Sequence, residues 1–293
     1  MTGAWQDKRN DALIAAAGTD EEALKFAKAN ADAIDGVVNN IGLDPGSKAS
    51  GGARVVFNMS NANIPTFCRT GYKNSYNLGK TVRIGEQPPG HRPTRRETVD
   101  AALEVTLGID PRSTYFGAVE LTGSGVRFYG DYCLVLKDPR LGEPLLDRNS
   151  YDIARPPLAT SDSLDTEEME RSVAEISGTW DPDLKDMLVV KTFSGVRAAS
   201  RRLTLGQIAG AVLDDEDYVE VLRQGPFVAD EVAEVRTLAT DAAREAAIAD
   251  RTRHRPMPSA AELLWRRRRL EAEEALATEK LSVRIITTLG RVR

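Results

Sequence analysis

The stretch "TYFGAVELTGSGVRFYGDYCLVLK", residues 114–137, decides the expected fold. Two apolar runs, 114–122 and 126–137, flank the tripeptide Gly-Ser-Gly, and this arrangement predicts a β-hairpin. In the second run, alternate residues would lie on opposite faces of the strand, one face apolar and the other carrying Asp131 at its middle. We expect this second strand to be central in a sheet.

A dense polar run, "DRNSYD" at residues 147–152, follows this apolar stretch after a short gap. Arg148 suits a bidentate contact with phosphate or carboxylate, Asn149 and Ser150 offer hydrogen-bond donors, and Tyr151 can stack on a ring. A plain turn is the alternative, because Asp, Asn and Ser side chains bond to their own backbone.

A second polar segment, "FCRTGYKNSYNLG" at residues 67–79, combines cations with aromatic rings. That composition is typical of surfaces that bind phosphates and stack bases, although a solvated loop is equally open. If both segments are functional, we expect them to converge on one pocket. Its candidate ligand-binding residues are Arg69, Tyr72, Lys73, Tyr76, Asp131, Arg148, Asn149, Ser150, Tyr151 and Asp152.

A short part of the chain, "YGD" with "LVLK" at 129–137 and then "RNSY" at 148–151, resembles segments of ADP-ribosyltransferase-fold toxins. The resemblance implies a nucleotide- or NAD-utilising transferase, or a toxin or defence effector. It also implies an Arg on one strand, a Ser- or Tyr-containing element and a late catalytic Glu. Arg69, "STY" at 113–115 and Glu175 are the matching candidates. The catalytic residues themselves remain unidentified from the residues alone.

The order of predicted helices and strands along the chain indicates an α+β fold with a central, mainly antiparallel sheet. Capping boxes at Thr19–Glu22, Thr94–Glu97 and Ser259–Glu262 predict helix starts. We expect an α+β core over residues 1–200, a helical region over 201–280, and a C-terminal strand over 281–293 that rejoins the core sheet. The expected strands lie near residues 53–59, 81–84, 114–122, 126–137, 186–193 and 281–289.

Charge is distributed unevenly along the C-terminal third. Residues 211–250 are strongly acidic, whereas residues 251–269 are basic and end in the run Arg266, Arg267, Arg268 and Arg269. The basic run can pair with the acidic stretch, or it can bind nucleic-acid phosphate or an acidic protein partner. The second option favours an alternative function, a non-enzymatic binding or assembly protein.

Composition bounds the remaining possibilities. The chain has 293 residues, 41% hydrophobic and 28% charged, with a net charge of −5, as in ordinary globular proteins. The common phosphate-loop, dinucleotide-binding, zinc-protease and serine-hydrolase motifs are missing. Two cysteines and two histidines show no metal-ligating spacing, and no cofactor is identified. Without a leader or a run of roughly 18 apolar residues, we expect a cytoplasmic protein that does not contact membranes. Abundant Ala, Arg and Asp suggest a bacterial source.

Overall fold

The computed structural model describes residues 4–39, 52–137, 142–153, 166–195, 201–213, 217–254 and 257–287. The strands are β1 Arg54–Met59, β2 Thr114–Glu120, β3 Tyr132–Leu136, β4 Pro144–Leu146, β5 Ser177–Thr179, β6 Glu220–Gln224, β7 Val232–Leu238 and β8 Val283–Ile286. The helices are α1 Ala4–Ala17, α2 Glu21–Asn39, α3 Ile64–Thr70, α4 Arg95–Leu107, α5 Ser150–Ile153, α6 Thr166–Ile176, α7 Leu184–Gly195, α8 Leu205–Val212, α9 Ala239–Arg251 and α10 Ala260–Thr278.

The eight strands within these described ranges form one sheet in the order β5-β4-β6-β2-β1-β3-β7-β8. Every pairing is antiparallel except that of β7 with β8, which is parallel. Helices lie against both faces, so the expected α+β class with a mainly antiparallel sheet is confirmed. The expected return of the C-terminal chain to the sheet is confirmed by β8. Residues 288–293 lie outside the described ranges.

The predicted hairpin between β2 and β3 is wrong. Both strands pair with β1, which lies between them: Val56 is opposite Ala118 on one side and Val135 on the other. β1 is buried along nearly its whole length, so it can be enclosed by a strand on each side. The connection from β2 to β3 crosses the end of β1, and a Cβ on Gly130 would lie 2.0 Å from the carbonyl carbon of Met59.

The predicted strand over 126–137 is correct only in its second half. Arg127–Tyr129 form a 3-10 turn, and the strand itself begins at Tyr132. Residues 81–84 form no strand: they run beside the start of α4, where the backbone N of Val82 donates to Glu97 Oε1 over 3.0 Å. A strand at 81–84 would need a neighbouring strand to accept its backbone hydrogen bonds. Here the Glu97 carboxylate at the start of α4 is the acceptor instead.

Two further corrections concern the second half of the chain. Residues 186–193, predicted as a strand, lie in α7, which packs against α1 and α2. The stretch 204–280 is helical at both ends, but its middle contains β6 and β7. Strands from all three stretches of the predicted division therefore belong to the same sheet.

The two faces of the sheet carry different cores. The first face, defined by Phe57, Tyr115 and Val221, is covered by α1, α2, α3, α7, α8 and α10. On the second face, Leu222 and Phe116 pack with α4 and α6. Side chains alternate between these faces along each strand, so the face of a strand residue follows from its position.

Helix capping agrees with the sequence at two of the three predicted boxes. Thr94 with Glu97 and Ser259 with Glu262 form reciprocal capping boxes at the starts of α4 and α10. At α2 the cap is Asp20 and not Thr19, because Asp20 Oδ1 accepts hydrogen bonds from the backbone N of Glu22 (2.9 Å) and of Ala23 (3.2 Å).

Candidate functional site

The polar run 147–152 forms a tight turn at the end of β4. Asn149 Oδ1 accepts a hydrogen bond from the backbone N of Tyr151 over 2.9 Å, and the backbone N of Asp152 donates to the carbonyl of Asn149 over 3.0 Å. These bonds are the turn chemistry expected of Asn in such a run. The turn leaves Arg148 and Tyr151 pointing to solvent, with the Arg148 guanidinium paired to Asp147 at 2.7 Å.

This turn meets the 3-10 turn that precedes β3. Asn149 Nδ2 donates to the Tyr129 hydroxyl over 3.4 Å, and Arg127 holds the second turn by an ion pair with Asp241 at 2.7 Å. Phe128 and Tyr129 contact each other edge to face, with ring centroids 5.3 Å apart. The exposed fractions of Phe128, Tyr129 and Tyr151 are 81%, 50% and 42%. We call Phe128, Tyr129, Asn149 and Tyr151 the aromatic rim.

A buried acid lies beneath the aromatic rim. Tyr218 and Glu220 share the second face of the sheet, and the Tyr218 hydroxyl lies 3.4 Å from that of Tyr129. Glu220 is only 2% exposed, and its Oε2 accepts a hydrogen bond from the backbone N of Ser150 over 2.9 Å. Burial raises the pKa of Glu220 to about 7, although the Arg96 charge and the Ser150 hydrogen bonds oppose that rise.

A chain of polar contacts extends from Glu220 along α4. Arg96 Nη1 donates to Ser150 Oγ over 3.0 Å, and Arg96 Nε donates to Asp100 Oδ1 over 2.8 Å. The Tyr76 hydroxyl completes the chain by donating to Asp100 Oδ2 over 2.9 Å. This buried polar network, comprising Tyr76, Asp100, Arg96, Ser150 and Glu220, joins α4, α5 and β6.

Of the segment 67–76, only its end reaches this network. Tyr72 lies on the first face, where its ring stacks on Phe227 at 4.9 Å and contacts Phe57 at 5.2 Å. Burial there raises the pKa of Tyr72 to about 12. Arg69 and Lys73 are exposed. The structure therefore does not bring Tyr72 together with Ser150, which lies on the opposite face of the sheet.

The Asp131 carboxylate contacts Asn61 and Arg269 and not the turn 147–152. It accepts from the backbone N of Asn61 over 3.0 Å and from Asn61 Nδ2 over 3.2 Å, and it lies 3.9 Å from Arg269. The residues suggested by the transferase resemblance are separated as well. Tyr115 belongs to the first-face core, whereas Glu175 is exposed in the last turn of α6.

The four consecutive arginines of α10 have different environments. Arg269 is 1% exposed and pairs with Glu245 at 3.0 Å and Glu273 at 3.2 Å. Arg267 is exposed and pairs with Glu271 one turn along the helix, and Arg268 is exposed. Arg266 is partly buried, and its Nε forms no hydrogen bond within the described part of the chain. Within the described part of the chain, the run thus pairs with Glu245 of α9 and, on its own helix, with Glu271 and Glu273.

The ligand-binding residues expected from the sequence do not include Tyr129, Tyr218, Glu220 or Arg96. A usable signal was present in "DYVEV" at 217–221, where alternation places Tyr218 and Glu220 on one face of a strand. The helical region expected over 201–280 includes this stretch, and that expectation is wrong here because Glu220–Gln224 form a strand. Because β6 is a strand, alternation places the Glu220 carboxylate on the second, buried face of the sheet.

Comparisons with known proteins add no identification. No protein-family model matches the chain, and no match was found among curated proteins or solved structures. Within the described ranges, no helix combines the length and apolarity needed to cross a membrane.

Proposed function

We propose that the protein is a nucleotide- or NAD-utilising enzyme whose ligand ring stacks on the aromatic rim. One observation carries the proposal: the Tyr129 hydroxyl contacts both Asn149 and Tyr218, which fixes exposed rings above a buried acid. Stacking on such rings contributes about 1–3 kcal/mol per base and tolerates different bases. A ring already held in place also loses little conformational entropy when a ligand binds.

Glu220 gives the proposed site its chemical character. With a pKa near 7, both its protonated and its ionised forms are populated at neutral pH, as a group that exchanges protons requires. Its carboxylate is shielded from solvent, so in this proposal it acts by holding the turn 147–152 in place through the backbone N of Ser150. Glu220 is therefore a positioning residue in this proposal. Perturbed pKa values of this kind are concentrated at functional sites.

Calorimetric titration with ATP and NAD tests the proposal. We expect Tyr129→Ala and Tyr151→Ala each to weaken binding by about tenfold, because each removes a stacking surface. The matched control is Leu264→Ala, which removes an exposed apolar side chain from α10, away from the aromatic rim. Absence of binding to the wild-type protein, or equal affinities for all four proteins, would refute the proposal.

One observation favours the alternative function, a binding or assembly protein. The outer side of α10 exposes Leu263, Leu264 and Leu270 beside Arg267 and Arg268. A combined Arg267→Gln and Arg268→Gln variant would then lose retention of an acidic protein or nucleic-acid partner while keeping nucleotide affinity. Light scattering and a nucleic-acid retention assay distinguish this outcome from the enzyme proposal.

A further inference from the structure

A nearly buried lysine lies beside the polar turn. Lys191 belongs to α7, and its side chain is 8% exposed. Its Nζ donates to the backbone carbonyl of Asp147 and to the carboxylate of Asp217. Burying a charged group is costly unless it is paired. The compensating anion here is Asp217, a side chain that is itself 65% exposed.

Arg148 adds a second cation to the same place. It pairs with Asp147, and the negative charges of Asp217 and Glu175 also act on it and raise its pKa. Only Nε and Nη2 of the Arg148 guanidinium are used by Asp147. The remaining donors can serve another anion, because a guanidinium carries five N–H groups.

These cations are within reach of the aromatic rim. Lys191 contacts Asp147, which precedes Asn149 by two residues. The Cα atoms of Asp147 and Asn149 are therefore at most about 7 Å apart. Asn149 in turn contacts Tyr129. The turn 147–152 thus links both cations to Tyr129, and a nucleotide whose ring stacks on Tyr129 has to run along this turn for its phosphates to meet Lys191 and Arg148.

We propose that Lys191 and Arg148 bind the phosphate groups of the nucleotide whose ring stacks on the aromatic rim, and that the ligand phosphate displaces the Asp217 carboxylate. The inference rests on the proposed function and adds to it the phosphate contacts. Because the Asp217 side chain is itself 65% exposed, water can solvate its carboxylate once a ligand has replaced it at Lys191. A phosphate carries more charge and more acceptor oxygens, so its charge-assisted bonds to both cations outweigh the pair that it replaces.

The experiment compares adenosine, AMP and ADP by calorimetry on the wild type, Lys191→Gln and Asp217→Asn. For the wild type we expect ADP to bind at least about tenfold more tightly than adenosine. Lys191→Gln should remove most of this difference and leave adenosine affinity unchanged. Asp217→Asn should strengthen ADP binding several-fold, because no internal carboxylate then competes. Lys185→Gln, on the first turn of the same helix, is the matched control and should match the wild type.

The outcomes separate the two proposals. Equal affinities for adenosine and ADP in the wild type, or equal losses for both ligands in Lys191→Gln, would overturn the phosphate contacts while ring stacking stands. If no nucleoside binds, the proposed function fails, and pyrophosphate alone tests the cations by phosphorus NMR. Line broadening that Lys191→Gln abolishes and Asp217→Asn enhances would support the site. Identical spectra for all variants would overturn it. Should Lys191→Gln fold poorly, Asp217→Asn alone decides by the same criterion.

Discussion

At the residue scale, Glu220 is the most informative side chain because it is an acid held in the interior. Its carboxylate accepts a hydrogen bond from the backbone N of Ser150, and Arg96 contributes a nearby positive charge. These interactions reduce the cost of burying the ionised form but do not remove it. The pKa of about 7 means that the folded chain binds this proton more tightly than the unfolded chain, where the ordinary value is 4.5.

The sign of the pH dependence follows directly. Between pH 4.5 and 7 the folded state holds a proton on Glu220 that the unfolded state has released, so this group's contribution lowers the free energy of unfolding as pH rises. Each pKa unit corresponds to about 1.4 kcal/mol, so the total loss is about 3 kcal/mol. We expect Glu220→Gln to abolish this pH-dependent loss of stability. The free energy of unfolding, measured by urea denaturation at pH 4.5 and 7.5, checks this expectation.

The exposed Glu175→Gln variant serves as the control for Glu220→Gln, and its pH dependence should match that of the wild type. If the wild type and Glu220→Gln lost stability in parallel between the two pH values, the raised pKa would be contradicted.

The site could be anticipated only where its residues are close in sequence. Asn149, Ser150 and Tyr151 were identified because a polar run follows an apolar one. Their partners Tyr129 and Glu220 are 20 and 70 residues away along the chain, and no local pattern records such contacts. A tyrosine among cations, as in 67–76, looks the same in sequence whether it faces solvent or a core.

At the scale of elements, helix starts were the most predictable features because a cap is a local interaction. Thr94 and Ser259 each lie three residues before a Glu that completes the box. The run "DMLVVKTF" at 186–193 predicts a strand wrongly, because a short, continuous apolar run fits a buried helix as well as a buried strand. The run forms the helix α7, which packs against both α1 and α2.

The cap of α4 permits a quantitative prediction. Thr94 Oγ1 accepts from the backbone N of Glu97, and the Glu97 carboxylate accepts from the backbone N of Thr94 over 2.7 Å. Thr94→Ala removes the first bond and should lower the free energy of unfolding by about 1 kcal/mol in urea. The control is Thr98→Ala on the same helix, which removes no cap and should change stability by less than half as much. Equal effects would contradict the capping role.

At the scale of the whole molecule, the sequence predicts the fold class but not the strand order. An apolar run followed by Gly-Ser-Gly and another apolar run favours a hairpin, yet β1 separates the two strands. What decides the arrangement is burial of β1 on both sides, a property of the assembled sheet. The crossing at Gly130 could have been suspected only after the neighbouring Met59 backbone was known.

Arg269 connects elements from both sides of the boundary that was expected at residue 200. Its guanidinium pairs with Glu245 of α9, donates to Thr237 of β7 over 3.3 Å, and lies 5.0 Å from the centre of the Tyr132 ring of β3. The buried position of this charge means that its partners would be left uncompensated without it.

We therefore expect Arg269→Met to lower the free energy of unfolding by about 3 kcal/mol, because it leaves the partly buried carboxylates of Glu245 and Asp131 without this partner. Arg267→Met on the same helix is the matched control, since Arg267 is exposed and pairs with the surface carboxylate of Glu271. It should change stability by no more than about 0.5 kcal/mol. Urea denaturation of both variants measures the difference. Similar small losses in both variants would show that Arg269 does not hold α9, α10 and the sheet together. That result would favour the alternative function, in which the arginine run binds a partner.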